Sequence, residues 1–185
     1  VYFMLNWHRH ARRKTVKLFS EENRATAHAA LGEISSMMRT FIAGNFVIGV
    51  CLSLASMLLF AVLKLPYFYF LGFISGFLSM VPYLGVILAI VTPLIVGMGT
   101  LSSSGMLAIV VVLIVLHLLG MNVLYPKFIG SRAQLNPLVV TIALLVWGWM
   151  WGAIGLILAI PIASAVKIIC DHVDRLHPVG EWMGE

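Results

Sequence analysis

His117 is the one side chain between Thr40 and Val166 that titrates readily near neutral pH. It stands in the apolar run Val115-Leu116-His117-Leu118-Leu119. A histidine there could relay a proton, so it is the proton-coupling candidate; the plainer reading is a hydrogen-bonded packing histidine. Lys127 and Arg132 frame the only charged break in the later chain, Pro126-Lys127-Phe128-Ile129-Gly130-Ser131-Arg132, which Gln134, Asn136 and Pro137 extend. Charge close to apolar surroundings is costly and is usually retained for use; the plainer reading is an anchoring loop. Two more breaks lie at Val81-Pro82-Tyr83-Leu84-Gly85 and across Gly148–Gly155. Proline removes a backbone donor and disfavours helix in the residue before it. Each break therefore frees N–H and C=O groups that could bind a solute, unless it only kinks a helix for packing. Asn45, Tyr83, Asn122, Gln134, Asn136 and Thr141 would suit a polar, uncharged ligand. The candidate pathway is Pro82, Tyr83, Gly85, Asn122, Pro126, Lys127, Gly130, Arg132, Asn136 and Pro137.

Other chemistries lack their residues. Ser75 precedes Gly76, but the glycine before it is Gly72, so the Gly-x-Ser-x-Gly elbow of a hydrolase is missing. There is no His-Glu-x-x-His and no P-loop. Cys51 and Cys170 suggest neither a disulfide framework nor a metal site. No catalytic residue, metal, cofactor or nucleic-acid partner is expected. Sodium or proton coupling normally uses intramembrane carboxylates, and the sequence has none between Glu33 and Asp171.

The elements that must position these residues are apolar helices. Of 185 residues, 61% are hydrophobic and 10% charged, against about 25% charged in soluble domains. Thr40–Leu63, Leu65–Pro126 and Ala133–Val166 carry no Lys, Arg, Asp or Glu. One bilayer crossing needs roughly 20 apolar residues. The fold class is therefore all-α, a polytopic helical membrane protein with broken or re-entrant helices. Val1–His8 reads as the tail of an earlier span. Arg9, His10, Arg12, Arg13, Lys14 and Lys17 then mark the cytoplasmic side. Ser20 is a helix N-cap candidate ahead of Glu21 and Glu22. Ala27, Leu31, Ile34, Met38 and Phe41 form the stripe of an amphipathic helix that enters the first span. That span, about Thr40–Leu63, has a small polar face of Asn45, Gly49, Ser53 and Ser56, suited to close packing. Gly72-x-x-x-Gly76 and Gly148-x-x-x-Gly152 have the same spacing and could pack within or between subunits, so a homo-oligomer is open. Pro93 is expected to disturb the helix after Gly85, and Thr100–Gly105 to form a loop. The organisation is 1–39, a preceding span's end with a basic loop and amphipathic helix; 40–166, a transmembrane bundle; and 167–185, a polar tail. If four long segments each cross once, Lys127 and Arg132 fall opposite the basic N-terminal segment, against the usual bias. Gly85-Val86-Ile87-Leu88-Ala89-Ile90 and Gly155-Leu156-Ile157-Leu158-Ala159-Ile160 echo each other, each after a break and ahead of a proline. Transporters are often built from such repeats.

Four motifs in order, Val81-Pro82-Tyr83-Leu84-Gly85, Pro126-Lys127-Phe128-Ile129-Gly130, Leu135-Asn136-Pro137-Leu138, and Gly152-x-x-Gly155 with Ala159-Ile160-Pro161, resemble those of the AI-2E family of transporters. The resemblance covers almost the whole chain. It implies a multi-pass permease of the bacterial cytoplasmic (inner) membrane that exports a small polar solute such as the quorum-sensing signal autoinducer-2. The partners it implies are the lipid bilayer, a small-molecule solute and an N-terminal half of the same polypeptide, since family members are about twice this length with about eight spans. Some members are described as sodium/proton antiporters, which keeps an ion-coupled carrier as the alternative; a non-transport membrane scaffold is the second. Asn136 stands where the family often has histidine or another polar residue.

Overall fold

The computed structural model describes residues 10, 14–81, 84–129 and 135–184, and among these every regular element is helical. A 3-10 turn, Glu21–Asn23, leads into α1, Arg24–Val62. Then come α2, Phe68–Leu78, α3, Leu84–Gly97, and α4, Ser103–Leu119. A π-helical segment, Gly120–Leu124, joins α4 to α5, Tyr125–Phe128. The chain closes with α6, Pro137–Asp171, and α7, His177–Met183.

Length sorts these helices against a hydrocarbon core of about 30 Å. The 39 residues of α1 extend about 58 Å at 1.5 Å per residue. Its charge-free part from Thr40 can cross while Arg24–Arg39 projects beyond. Ser103–Phe128 is also long and apolar enough to cross, and it runs antiparallel to α1. Phe60 clusters with Ile109 and Leu113 at one end, and Gly44 meets Phe128 and Ile129 at the other. By contrast α2 and α3, of 11 and 14 residues, reach only about 16 and 21 Å. They form a helical hairpin: the Ser75 hydroxyl donates to the Ala89 carbonyl at 2.9 Å, and a Cβ on Gly85 would collide with the Leu78 carbonyl.

Pro137–Asp171 is long enough for a crossing, yet it turns back on itself. Gly152 has φ 60° and ψ −137°, a backbone region essentially reserved for glycine. A Cβ on Gly155 would collide with the Trp147 carbonyl, and one on Gly148 would lie 2.7 Å from Leu156. Val139, Ala143, Ala159 and Ala163 share one buried cluster. In a straight helix Trp147 and Gly155 would stand about 12 Å apart along the axis. Of the paths the sequence left open, a break within the last apolar stretch is the one the backbone takes. Two long antiparallel helices carry two hairpins, and the hairpins start from opposite ends of that pair.

The expected echo falls at equivalent places. Gly85 and Gly155 each open a returning arm, and Ala89 and Ala159, at 1% and 0% exposure, follow inside each hairpin. This path also moves Lys127 to the end that holds Arg24, Glu33, Arg39, Lys167 and Asp171. His172 there lies 3.8 Å from Glu33. The charge bias then holds for Lys127 instead of being broken.

Hairpin 1 packs on α1 through the small face. A Cβ on Gly72 would sit 2.6 Å from the Met57 backbone, and one on Gly76 would collide with the Ser53 backbone. The Ser53 hydroxyl donates to the Phe73 carbonyl at 3.1 Å. Gly49, Ser53 and Ser56 are all buried, as their spacing predicts. Three details differ from expectation. Pro93 sits inside a continuous α3, because the carbonyl it deprives of a donor, that of Ala89, receives the Ser75 hydroxyl instead. Ser102 caps α4 by accepting from Gly105 N at 3.3 Å, which shortens the expected Thr100–Gly105 loop. The buried stripe of early α1 is centred on Ala30, Met37 and Phe41, with Leu31, Ile34 and Met38 half-buried beside it.

Two tests follow from this path. Cysteines replacing Ala143 and Ala159, with Cys51 and Cys170 removed, should oxidise to a disulfide; a straight helix would hold them about 24 Å apart, and absence of the bond would overturn the hairpin. Lys64 ends α1 in the left-handed region (φ 55°), with Leu65 N donating to Phe60 O at 2.9 Å and Lys64 N to Ala61 O at 3.0 Å. This is the capping pattern in which glycine is usual. Lys64→Gly should stabilise the fold by roughly 1 kcal/mol, read as a higher thermal midpoint in detergent; a lower one would contradict the assignment.

Candidate functional site

Residues of both hairpins reach the same stretch of α1. Met80, at the end of hairpin 1, reaches Gly49, and Ile160, in the returning arm of hairpin 2, packs into the cluster of Phe41, Ile48 and Leu52. Between them lies a cavity of about 10 Å³ lined by Phe41, Asn45, Met80, Tyr125, Ile157 and Ile160, room for about one water molecule. Four parts of the chain contribute: α1, the end of hairpin 1, the start of α5 and the returning arm of hairpin 2.

Its polar centre is a side-chain pair. The Tyr125 hydroxyl donates to Asn45 Oδ1 at 2.9 Å, and Asn45 is only 7% exposed. The π-helical segment presents the tyrosine. Pro126 would clash with the carbonyl four residues before it in a regular helix, and the wider turn relieves this. Tyr125 N accordingly donates to Gly120 O, the five-residue π spacing. Gly120 faces Leu52 of α1, and the shifted register turns Tyr125 to the same side. Pro161 stands four residues after Ile157 in the returning arm. Lacking an N–H, it cannot serve the carbonyl of Ile157, and Ile157 lines the cavity. None of the six lining side chains carries a formal charge.

The candidate residues distribute unevenly around this cavity. Gly85 is buried at the start of the returning arm of hairpin 1. Pro82, Tyr83, Gly130 and Arg132, with Gln134, lie outside the described residues. Asn122 is exposed and donates from Nδ2 to Leu118 O at 2.8 Å. Pro126 and Lys127 are exposed on α5, with Lys127 Nζ 5.9 Å from the centre of the Phe128 ring. His117 is half-buried in the last turn of α4. Thr141 is exposed and donates to Pro137 O at 2.8 Å. Ser75, weighed as a nucleophile, has no exposure and donates to Ala89 O. Sequence reasoning missed Tyr125, Met80 and Ile157. The signal for Tyr125 was Pro126 directly after it.

Asn136 instead acts as a clasp. Its Oδ1 caps α6 by accepting from Val139 N at 2.9 Å, and its Nδ2 donates to Trp182 O at 2.6 Å. Its own N–H donates to Met183 O at 2.9 Å. Pro137 follows at the first helical position, where no donor is needed. Asn136→Ala should cost about 1–2 kcal/mol, seen as faster hydrogen exchange at Val139 and through 177–183. Unchanged exchange at both would argue against the clasp.

Comparison with known proteins identifies the family. The profile of the AI-2E family transporter matches residues 1–175. The "Putative transport protein YrrI" of Bacillus subtilis is 30% identical over 89% of this chain and 46% of its own length. The "Putative transport protein YueF" of the same organism is 29% identical over 87% of this chain and 43% of its own. The "AI-2 transport protein TqsA" of Escherichia coli is 27% identical over 68% of this chain and 36% of its own. The chain spans somewhat under half the length of the first two relatives. With three helices long and apolar enough to cross a membrane and a family match over nearly all its length, the chain belongs to the AI-2E family of transporters, multi-pass helical membrane proteins.

Proposed function

We propose that the protein is a permease of the bacterial cytoplasmic membrane that exports a small, polar, uncharged solute, an autoinducer-2-like signal being the first candidate. The observation that carries this reading is the approach of two opposed hairpins to a part-buried hydrogen-bonded pair, Asn45 and Tyr125. Transport sites commonly lie near mid-bilayer where discontinuous helices of a repeat meet. Broken backbone is tolerated at that depth only where it is buried or lines a watery cavity. The uncharged lining favours a neutral solute over a cation, and one relative carries autoinducer-2 transport in its name. In this reading residues 1–39 form the basic cytoplasmic approach, 40–166 the transmembrane bundle and 167–185 the tail. The end bearing Arg24, Arg39 and Lys127 faces the cytoplasm.

Efflux of labelled autoinducer-2 from liposomes holding the full-length polypeptide tests it. The expected result is efflux above protein-free liposomes without any ion gradient. Efflux that requires a pH or sodium gradient would favour the ion-coupled alternative and make His117→Ala the next variant. No efflux under any condition would overturn the solute assignment and leave the scaffold reading ahead.

A further inference from the structure

We infer that Asn45, Tyr125 and the Ile157 carbonyl form the hydrogen-bonding subsite for a neutral, hydroxyl-bearing solute, held closed in this structure where Met80 of hairpin 1 and Ile157 and Ile160 of hairpin 2 come together around it. The inference rests on the permease reading and names the site within it.

Two prolines, Pro93 and Pro161, stand inside helices. Both remove the donor for the carbonyl four residues earlier, and both stand in the returning arm of a hairpin. In hairpin 1 a neighbouring hydroxyl makes good the loss, Ser75 donating to Ala89 O. In hairpin 2 the affected carbonyl is that of Ile157, a residue that lines the cavity beside Asn45 and Tyr125. The same device is closed by a hydroxyl in one hairpin and falls on a residue of the cavity wall in the other.

The chemistry of the three groups defines the ligand. Asn45 offers an amide N–H₂ and a carbonyl oxygen, Tyr125 a hydroxyl that both donates and accepts, and Ile157 a carbonyl that only accepts. A solute with adjacent hydroxyls can donate to the carbonyl while accepting from the amide. No charged residue occurs in Thr40–Leu63, Leu65–Pro126 or Ala133–Val166, so an ionised solute would lose its hydration without a counter-charge, a far larger cost than burying a hydroxyl that finds a partner. The apolar remainder, Phe41, Met80, Ile157 and Ile160, can cover the carbon skeleton. A water-sized cavity cannot hold such a solute, so Met80 and the returning arm of hairpin 2 must separate to admit it. Met80 at one tip is flexible enough to re-pack. The solute then takes the place of the water and of the Tyr125–Asn45 bond.

The test measures binding and flux side by side on the full-length protein, with labelled autoinducer-2 as probe. Tyr125→Phe and Asn45→Ser should each weaken binding roughly 5- to 15-fold, the loss of one net hydrogen bond. Thr92→Val, which removes an exposed hydroxyl bonded to Leu88 O, should bind as wild type. Ile157→Cys, with Cys51 and Cys170 replaced by alanine, should react with a membrane-permeant maleimide more slowly when autoinducer-2 is present. This readout decides the matter should the Tyr125 or Asn45 variants fail to fold. Binding without flux would sink the permease reading and leave the subsite standing. Flux with unchanged binding in both variants, or unprotected Ile157→Cys, would sink the subsite and leave the permease. Wild-type protein that neither binds nor moves the probe would overturn both.

Discussion

A backbone amide or carbonyl that leaves its helix inside a hydrocarbon layer has no water to turn to. Leaving one unpaired costs on the order of several kcal/mol. That constraint governs where this chain spends its few polar side chains. The hydroxyls of Thr92, Thr141 and Ser164 and the amide of Asn122 each return to a carbonyl four residues back in their own helix. Ser53 and Ser75 reach carbonyls of neighbouring segments, Phe73 and Ala89. Asn136 serves two helix ends at once. Against this background, the Asn45–Tyr125 pair stands out because it joins two side chains from different helices and lies beside a cavity instead of mending a backbone.

The same constraint explains why broken helices here come as hairpins. A helix of 11 or 14 residues cannot cross alone, and its ends must be covered by protein. Pairing two such arms through small residues brings the backbones close enough for each to shield the other. Gly85 and Gly155 mark the two closest approaches, each against a carbonyl of the outgoing arm. Two hairpins from opposite ends leave two straight crossings between them, and that parity brings Lys127 to the end where the other charges of α1 and α6 gather. Lys64 remains the one formal charge at the far end among the described residues.

Much of this was legible in the residues. The charge-free runs announced the membrane, Pro82–Gly85 and Gly148–Gly155 announced breaks, and Asn45, Gly49, Ser53 and Ser56 announced the packed face of α1. The reversal at Gly152 was not legible, because a straight crossing and a folded hairpin have the same apolar composition; only backbone conformation tells them apart. Tyr125 was hidden for a different reason. Helical periodicity assumes 3.6 residues per turn, and the π-helical segment at Gly120–Leu124 shifts every later side chain onto another face. Asn122 and Thr141 looked available because sequence does not reveal that each is bonded within its own turn.

The two prolines show how one sequence device acquires two meanings. Pro93 and Pro161 are equally buried and equally lacking a donor. Taken alone, each reads as a kink. What separates them is the residue that tertiary structure places opposite the released carbonyl. For Pro93 it is the hydroxyl of Ser75, on the facing arm of the same hairpin, so the defect is closed internally and the hairpin is stiffened. For Pro161 the residue concerned, Ile157, abuts a cavity whose other polar groups come from α1 and α5. A defect closed within its own hairpin adds to stability, and one placed where several elements meet offers a group that a ligand can use. The function of a proline in such a bundle is therefore set by what faces the carbonyl four residues before it.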